Sequence, residues 1–288
     1  MADQWDDWIG RESRQSDQLG QAMAARWLAT FDLQQPAGDQ TMPQGIHFAL
    51  CTPDSPTGRL GEDGHPLRDE SAGSFLPPVP MPRRMWASSK ITFHNAIGIG
   101  AAIERVSRIA SINAKSGGSG DLVFVDVEHE TSADGLLAVS ETQTLVYRGA
   151  AAAEAPLSPP PTGGEQFDAS AWTSNHTLTP DPRLLFRYSA LTFNSHRIHY
   201  DVPYAQDKER YRGLVVHGPL TASLLLQLAG RELGSNAAKT FQFRGKSPGI
   251  AGEVLHLALR QNPDQAGAFE LGAFAADGRQ VMSANAAI

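Results

Sequence analysis

The segment "PLTASLLLQLAGRELG", Pro219 to Gly234, decides the fold that we expect for this sequence. Five leucines between positions 220 and 228 cover nearly the whole circumference of a helix. We therefore expect a helix that is buried on most of its sides, rather than along one stripe. Gly234 is placed to end this helix, because glycine adopts the conformations found just after a helix C-terminus.

Strand-like segments follow this helix directly. They are "KTFQFRGKS" (239–247), "EVLHLALRQ" (253–261), "AFELGAFA" (268–275) and "QVMSANAAI" (280–288). A run of strands after one apolar helix, without helix–strand alternation, predicts an antiparallel sheet that curls around the helix.

The first half of the chain shows the same inventory. Leu19, Met23, Trp27 and Phe31 have helical spacing and predict a helix over Ser16–Phe31. A region rich in proline and glycine, from Pro36 to Pro82, predicts loops. Three strand-like segments come next: "SKITFHNAI" (89–97), "LVFVDVEHE" (122–130) and "LLAVSETQTLVYR" (136–148). The fold class is therefore α+β, with one architecture occurring twice.

A linker separates the two halves. Residues 148–166, "RGAAAAEAPLSPPPTGGEQ", are rich in alanine, proline and glycine, and do not suit a packed strand or helix. We predict a first domain over residues 1–150, a linker over 151–166 and a second domain over 167–288.

Composition restricts the classes of function. The chain has 288 residues, of which 41% are hydrophobic and 19% charged, as is typical of globular proteins. The formal net charge of −7 argues against DNA or RNA as the main partner, because binding a duplex needs dense lysine and arginine. A phosphorylated small molecule, which needs only a few basic residues, remains possible.

The sequence indicates neither a metal site nor a membrane segment. Cys51 is the only cysteine, which excludes an intrachain disulfide, and no Cys/His set has zinc-binding spacing. The N-terminal residues lack the basic and apolar segments of a signal peptide, and no apolar run approaches the roughly 20 residues that span a bilayer. We therefore expect a soluble, cytoplasmic protein.

A second stretch carries the candidate chemistry: "SHRIHYDVPYAQDKERYRGLVVHGPL", Ser195 to Leu220. His199 is expected at the end of a strand, and His217 directly precedes the Gly-Pro start of the apolar helix. Histidine exchanges protons near neutral pH, while a helix start offers unpaired N–H groups to a developing oxyanion. We interpret the two segments as opposite walls of one site.

These residues resemble a known family. "HRIHYDVPYA" followed by "GLVVHGPLTASLL" is similar to the MaoC-like, R-specific enoyl-thioester hydratases and dehydratases, whose hot dog fold wraps an antiparallel sheet around a long helix. With "GHPLRDESAGSFLPPVPMPRRMW" in the first half, the chain resembles the double-hot-dog subgroup. That subgroup contains mesaconyl-CoA and itaconyl-CoA hydratases and mitochondrial-type hydroxyacyl-ACP dehydratases. The resemblance implies two antiparallel sheets, each wrapped around a central helix.

The resemblance also implies a catalytic pair and one departure from it. The family pattern D-x-N-P-I-H places His199 on the catalytic histidine, but Asn194 on the aspartate. We expect His199 to act as general base and acid, and the Asn194 amide to position water, although local backbone capping by Asn194 is a competing interpretation. We assign the Gly218 N–H as the oxyanion donor and His217 as a wall or orienting residue.

Substrate-binding residues follow from the same interpretation. A short dicarboxylic acyl group needs a cation for its free carboxylate, for which Arg83, Arg84 and Arg187 are candidates. Arg244 is a candidate for the phosphates of the carrier, although each of these arginines also fits ordinary surface charge. The expected partner is an acyl-CoA or acyl-ACP thioester. No separate cofactor is expected because CoA is part of the substrate, and a homodimer is possible.

Three activities remain open at this point. The favoured one is hydration of a mesaconyl- or itaconyl-CoA type substrate, ahead of dehydration of a hydroxyacyl-ACP. A thioesterase is disfavoured, because the apolar helix offers no acid before Glu232 at its far end. A protein that binds acyl thioesters without catalysis is the third, since the family aspartate is absent.

Overall fold

Ten strands and four α-helices form the regular structure of the described residues, 2–34, 40–117 and 120–288, in this computed structural model. Pro36, where the predicted loop region begins, lies outside them. In the first half the elements are β1 (Glu12–Gln18), α1 (Gln21–Thr30), β2 (Arg83–Phe93), β3 (Ala102–Gly117), β4 (Gly120–Ala133) and β5 (Leu136–Arg148). In the second half they are β6 (Ser174–Leu178), α2 (Pro182–Leu191), α3 (Val202–Asp207), α4 (Gly218–Leu233), β7 (Thr240–Gly245), β8 (Leu255–Gln261), β9 (Ala268–Ala275) and β10 (Gln280–Ala287).

The strands form one antiparallel sheet in the order β1-β3-β4-β5-β2-β7-β10-β9-β8-β6. Each half contributes five neighbouring strands, and β2 joins β7 with a register from Ser88↔Arg244 to Thr92↔Thr240. The sequence predicted two sheets, whereas the structure joins the two sets of strands at β2 and β7. Pairing of these two strands satisfies backbone groups that would otherwise lie on two exposed sheet edges.

The predicted apolar helix is confirmed as α4. It begins at Gly218, and every residue from Leu220 to Ala229 is buried. Gly234 follows it with φ +110°, a conformation that favours glycine. One helix face cannot bury ten consecutive residues, so α4 is enclosed by the sheet and by its neighbouring helices.

The predicted helix of the first half is shorter than expected. Ser16 lies in β1, where it pairs with Glu104 of β3, and α1 begins only after Gly20. The prediction that the helix starts at Ser16 is therefore wrong. The polar residues before Gly20 form a strand at the edge of the sheet, and Gly20 itself has extended backbone. The helical spacing of apolar residues therefore corresponds to a helix only from Gln21 onward.

The sequence analysis found β5 and β9 with their observed bounds but missed β3, the longest strand. In β3 the buried residues Ile109 and Ile112 are three positions apart. The register with β4 shifts between Ile109 and Ser111, which moves the side chains after it to the opposite face. Strict two-residue alternation is therefore lost, and with it the sequence signal for a strand.

Both halves contribute to one hydrophobic core. It includes Trp27 and Leu50 from the first half with Leu225 and Leu257 from the second. Residues 151–166, the predicted linker, contain no helix or strand, and Ser158 there donates its N–H to Arg210 O at 2.7 Å. Among the described residues, no helix is both long and apolar enough to cross a membrane.

Candidate active site

The loop between α2 and α3 places His199. Asn194 accepts the N–H of His196 on its Oδ1 at 3.0 Å, and a single 3-10 turn over Arg197–His199 follows. Asp201 then caps the start of α3 by accepting the N–H of Tyr204. His199 therefore lies in a 3-10 turn, and the expectation that it ends a strand is wrong. Asx capping and the turn, rather than a sheet ladder, satisfy the backbone here.

The structure brings the two predicted histidines together. The rings of His199 and His217 are stacked, with centroids 3.5 Å apart and planes 19° apart. His217 is the residue directly before α4, so the His199 imidazole adjoins the residue that precedes Gly218. This contact agrees with the prediction that the two segments lie on opposite sides of one site.

Hydrogen bonding determines the tautomer of His199. Its Nδ1 lies 2.7 Å from the carbonyl oxygen of Val215, which only accepts, so Nδ1 carries the hydrogen of the neutral ring. Nε2 has no hydrogen-bond partner among the described residues. Burial lowers the pKa of His199 to about 4. At neutral pH the ring is therefore an uncharged base with its lone pair on Nε2.

His217 is enclosed on its other side. Its Nε2 lies 2.9 Å from Ser189 Oγ on α2, and its ring meets Tyr188 at a centroid distance of 5.1 Å. Its Nδ1 is buried without a partner in the described structure. Burial lowers its pKa well below the usual value for histidine, so this ring is neutral. These contacts suit the predicted role of a wall that orients His199.

Gly218 begins α4 with space around it. A Cβ at Gly218 would meet no other heavy atom within 4 Å. Its N–H is the first of the helix and donates to none of the described residues, so it is open to an oxygen acceptor. Pro219, in the first turn, has no N–H to compete with it. The positive end of the helix dipole is directed toward the same space.

The side chain of Asn194 is engaged through one of its two polar atoms. Oδ1 caps the N–H of His196, as the competing interpretation required, whereas Nδ2 has no partner among the described residues. Capping by Asn194 fixes the turn that carries His196 and His199. Positioning of water by Nδ2 stays a prediction.

The four predicted arginines lie in three places. Arg83 pairs with Glu209 of the second half, Nε to Oε2 at 2.6 Å, so its charge is already neutralised. Arg84 is half-buried and makes no ion pair within the described structure. Arg187 is exposed on α2 and donates to Ala29 O at 3.2 Å, and Arg244 is exposed on β7.

Three further residues lie beside His199, of which sequence reasoning missed Asp63 and His65 and left His196 undecided. Asp63 and His65 come from a loop of the first half, and His196 comes from the same loop as His199. Nδ1 of His65 lies 3.0 Å from Asp63 Oδ2, and its ring contacts that of His196 at a centroid distance of 4.0 Å. The His196 ring meets His199 edge-on at 5.5 Å. An Asp-Gly-His sequence inside a proline-rich loop was the available signal.

Close backbone contact attaches the first-half loop to the second half. Gly64 has φ +85°, and a Cβ on it would lie 1.9 Å from the carbonyl oxygen of Ser195. Ser195 Oγ donates to Gly64 O at 2.6 Å, and Arg197 N donates to Asp63 O at 2.8 Å. No residue larger than glycine fits at position 64 in this arrangement.

The electrostatics of the cluster combine two neutral buried rings, His196 and His199, with the Asp63 carboxylate. Burial lowers the pKa of His196 to about 2, with the charges of His65 and His199 acting in the same direction. The charge of Arg83 also lowers this pKa, so Arg83 lies within electrostatic range of the site. Burial of Asp63 acts to raise its pKa, but hydrogen bonds and charge from His65 outweigh burial and lower it to about 2. Asp63 is therefore ionised at neutral pH.

A wide groove elsewhere lacks this chemistry. It has a volume of about 510 Å³ and is lined by Trp172, Arg260 and Glu270, among others. Arg260 and Glu270 pair with each other there, Nη2 to Oε2 at 2.6 Å. No histidine lines the groove within the described structure, so we place the candidate site at the histidine cluster.

Comparison with known proteins decides the family. The family described as "Hydroxyacyl-thioester dehydratase type 2" matches residues 45–251, which is more than half of the chain and includes both walls of the site. The chain belongs to this hydroxyacyl-thioester dehydratase family. The hydroxyacyl-thioester dehydratases are hydro-lyases, so the expected class of enzyme is confirmed.

Two relatives are similar to this chain over most of their length. The "Mesaconyl-C(4)-CoA hydratase" of Chloroflexus aurantiacus is 41% identical over 285 residues, covering 97% of this chain and 96% of the relative. The "Hydroxyacyl-thioester dehydratase type 2, mitochondrial" of Schizosaccharomyces pombe is 27% identical over 248 residues, covering 77% and 78%.

Solved structures support the fold of this chain. A MaoC-like dehydratase from Phytophthora capsici matches with a TM-score of 0.67 at 14% identity, covering 96% of this chain and 95% of that one. A conserved hypothetical protein from Mycobacterium tuberculosis, described as having a double hotdog fold, matches with a TM-score of 0.58 at 14% identity, covering 97% and 96%. The predicted hot dog class is confirmed by these likenesses.

Proposed function

We propose that the protein adds water reversibly to the double bond of an enoyl thioester, with a short dicarboxylic acyl-CoA of the mesaconyl type as substrate. The observation that carries this proposal is the His199 imidazole, with a free Nε2, stacked on the residue before the open N-terminus of α4. A proton acceptor and an oxyanion donor are the two devices that hydration needs. The similarity to mesaconyl-C(4)-CoA hydratase supports the choice of substrate.

His199 starts the reaction as a base. Nε2 takes a proton from water while the water oxygen forms a bond to the β-carbon. The electrons of the double bond move toward the thioester oxygen, where negative charge develops. The Gly218 N–H and the dipole of α4 stabilise that charge, and the space beside Gly218 admits the carbonyl group. Protonation of the α-carbon completes the addition.

The remaining predicted residues support this arrangement. His217 holds the plane of His199 by stacking, and Asn194 fixes the turn that carries it. The Nδ2 of Asn194, which is free of protein contacts in the described structure, is placed in our proposal to hold the attacking water. The first half, residues 1–150, contributes to one active site per chain, whose main residues lie in the second half, 167–288. Association into a homodimer stays a prediction.

Arg84 is the arginine that best suits the free carboxylate of a dicarboxylic substrate. Arg83 beside it is paired with Glu209, whereas Arg84 has no ion-pair partner in the described part of the chain. The charges of Arg84 and Asp63 both act on the pKa of Arg68, which supports a position of Arg84 near the site. Arg187 and Arg244 are exposed, and binding of the carrier phosphates by Arg244 is the weaker part of the proposal.

One experiment separates the candidate activities. The purified protein is incubated with crotonyl-, mesaconyl- and itaconyl-CoA, while enoyl absorbance and free thiol are followed together. We expect absorbance to fall without release of thiol, and fastest with mesaconyl-CoA. Thiol release would instead identify a thioesterase, and no change with any substrate would indicate a protein that only binds thioesters.

Dehydration of a hydroxyacyl-ACP is the second candidate. The similarity to the mitochondrial dehydratase of Schizosaccharomyces pombe favours it, at lower identity than the hydratase of Chloroflexus aurantiacus. Crotonyl groups carried on CoA and on ACP distinguish the two. A value of kcat/KM at least tenfold higher for the ACP thioester would favour this second activity over the first.

A further inference from the structure

Hydration moves two protons, and the second-half motif supplies one titratable group for them. The family pattern pairs the catalytic histidine with an aspartate, but this chain has Asn194 at that position. An amide neither accepts nor donates a proton at neutral pH. His196 and His217, the other rings beside His199, are held neutral by burial. His199 would therefore have to carry both proton steps, unless a second acid–base group comes from elsewhere in the molecule.

We propose that His65, oriented by Asp63, is this second acid–base group, and that the first half of the chain supplies it to the site in the second half. The inference rests on the proposed hydration. His65 is the catalytic residue in this assignment, since it exchanges a proton with the α-carbon. Asp63 is a positioning residue, because it acts through His65.

The contacts of His65 suit a proton donor. Its Nδ1 is held by Asp63 Oδ2 at 3.0 Å, which leaves Nε2 free of partners among the described residues. Since the ionised Asp63 carboxylate only accepts, Nδ1 of His65 carries a hydrogen and donates it to Asp63. The side chain of His65 is 27% exposed, so one part of the ring stays open while another packs on His196.

The distance between the two acid–base rings suits one substrate. His65 contacts His196 at 4.0 Å and His196 contacts His199 at 5.5 Å, so the centroids of His65 and His199 are no farther apart than the sum of these separations. The charge of His65 acts on the pKa of His199, which confirms that they are near each other. In our proposal the double bond lies alongside these rings, with water at one carbon and the proton donor at the other.

Hydrogen bonds fix the loop that carries His65 to the turn that carries His199. Arg197 donates its Nη1 to Glu62 O at 3.0 Å, in addition to the contacts of Asp63 and Gly64. Three consecutive residues of the first half thus bond to the turn that carries His199. If the Asp63–His65 pair served only local stability, these hydrogen bonds to the second half would not be needed.

The proton balance of the proposed step is complete. His199 begins neutral and His65 begins with both ring hydrogens. Water gives a proton to Nε2 of His199 and its oxygen bonds to the β-carbon; the π electrons form the enolate, which then takes the proton from Nε2 of His65. After the product leaves, His199 releases its proton to solvent and His65 takes one up, which restores the starting state.

The test compares His65→Gln and Asp63→Asn with wild type, using hydration of mesaconyl-CoA. We expect kcat to fall about 100-fold or more for His65→Gln and about tenfold for Asp63→Asn, with KM little changed. The matched controls are His256→Gln and Glu165→Gln, which alter a second histidine–carboxylate pair, Nε2 to Oε1 at 3.3 Å, away from the site. Both controls should retain activity within twofold.

The pH profile separates proton donation from a purely structural role. The titratable groups that face His65 are Asp63 on its own loop and His196 and His199 from the second half, with Arg83 behind them. If His65 donates a proton, the pH profile of kcat should change its shape in His65→Gln, because one proton transfer is removed. A purely structural defect would lower kcat by the same factor at every pH.

Chemical rescue gives a readout independent of folding. Because His65 is partly exposed, imidazole added to His65→Ala should restore turnover, and substituted imidazoles should do so in proportion to their acid strength. A cavity that is merely refilled would not follow acid strength. Thermal unfolding of each variant shows whether the folded state is retained.

The outcomes distinguish the inference from the proposed function. If wild type hydrates no thioester, the proposed function is wrong. If wild type is active but His65→Gln and Asp63→Asn stay within threefold of it, or keep its pH profile, only the role of His65 is overturned. Since Asp63, His65 and His196 also lie close enough to hold a metal ion, a chelator is added in parallel. Activity that is lost with chelator and restored by Zn²⁺ would overturn proton donation by His65.

Discussion

The molecule contains two groups of histidines beside a carboxylate, one within the first half and one where the two halves meet. In the first half, His129 on β4 lies opposite Glu141 on β5, and His47, from a 3-10 turn, packs beside them. In the site, Asp63 and His65 from the first half meet His196 and His199 from the second. The first group is built from one half alone, whereas the second exists only where the halves meet.

The first-half group has little means to exchange protons. His47 is 1% exposed, and its Nε2 is 3.9 Å from Glu141 Oε2, beyond hydrogen-bond distance. Burial lowers the pKa of His47 to about 3 and raises that of Glu141, so the two do not form an ion pair at neutral pH. Ser89 donates to Glu141 at 2.5 Å, and Ser107 lies 2.7 Å from His129.

The comparison shows that buried histidines alone do not mark an active site. Lowered pKa values occur in both groups, because burial acts on both. What differs is exposure and origin: the side chain of His65 is 27% exposed and meets a histidine of the other half, whereas His47 is 1% exposed and meets residues of its own half. In this protein, whose two halves share one architecture, the candidate site lies at the contact between the halves, where two loops meet.

The largest expected effect comes from His199→Gln. Loss of the base should lower kcat by about 1,000-fold or more, because the attacking water then lacks a proton acceptor. The measurement is kcat for mesaconyl-CoA hydration per folded molecule. His47→Gln is the matched control, since it alters an equally buried histidine of the first group. A loss below about tenfold in His199→Gln would remove the distinction between the two groups.

Glu141→Ala should destabilise the protein without affecting its chemistry. Ser89 would lose its acceptor inside a buried region, and a cavity would remain, which together lower the free energy of unfolding by about 3 kcal/mol. Urea unfolding measures the change, and Glu141→Gln, which keeps an acceptor for Ser89, should lose less. Turnover per folded molecule should stay at the wild-type value. A catalytic defect at full stability would show that the first group has a chemical role.

Gly218→Ala tests the open side of the site. The added methyl meets no other heavy atom within 4 Å, so the fold should tolerate it, but it enters the space proposed for the thioester. We expect kcat/KM to fall about tenfold, equivalent to about 1.4 kcal/mol, with an unchanged melting temperature. Gly230→Ala, later in the same helix and equally free of contacts, should leave activity unchanged. Equal activities of the two variants would contradict the assignment of Gly218.

The smallest expected effect concerns stability in acid. The pKa of His47 is about 3 in the folded protein, below its usual value, so the unfolded chain binds the proton more readily and stability falls as pH decreases from about 6.5 toward 3. Removing this group in His47→Gln should make the decline shallower by up to about 1.4 kcal/mol per pH unit. Urea unfolding between pH 7 and 4.5 measures the slope. Parallel slopes for both proteins would show that His47 titrates normally.

Local patterns in the sequence were sufficient for much of the fold. The apolar run of α4 predicted that helix, and the strand-like composition of β5 and β9 predicted those strands with their observed bounds. These signals are local, because they depend only on residues that are close together in the sequence. The wall formed by His217 and Gly218 was found for the same reason, since a helix start is a local feature. The bulged strand β3 was missed where the local period breaks.

Contacts between distant parts of the chain were beyond the sequence patterns. The pairing of β2 with β7 decides whether one sheet or two form, and depends on edges that no local period records. The same holds for Asp63 and His65, which approach the His199 turn through bonds between residues more than 100 positions apart. The domain boundaries proposed from the linker composition stay a prediction.

The sequence by itself determined one wall of the site, the central helix and the histidine that its family pattern places. Tertiary structure alone brought Asp63 and His65 of the first half beside that histidine. The hydrogen bonds that hold their loop there join residues more than 100 positions apart, and they form only when both halves are folded onto a shared core.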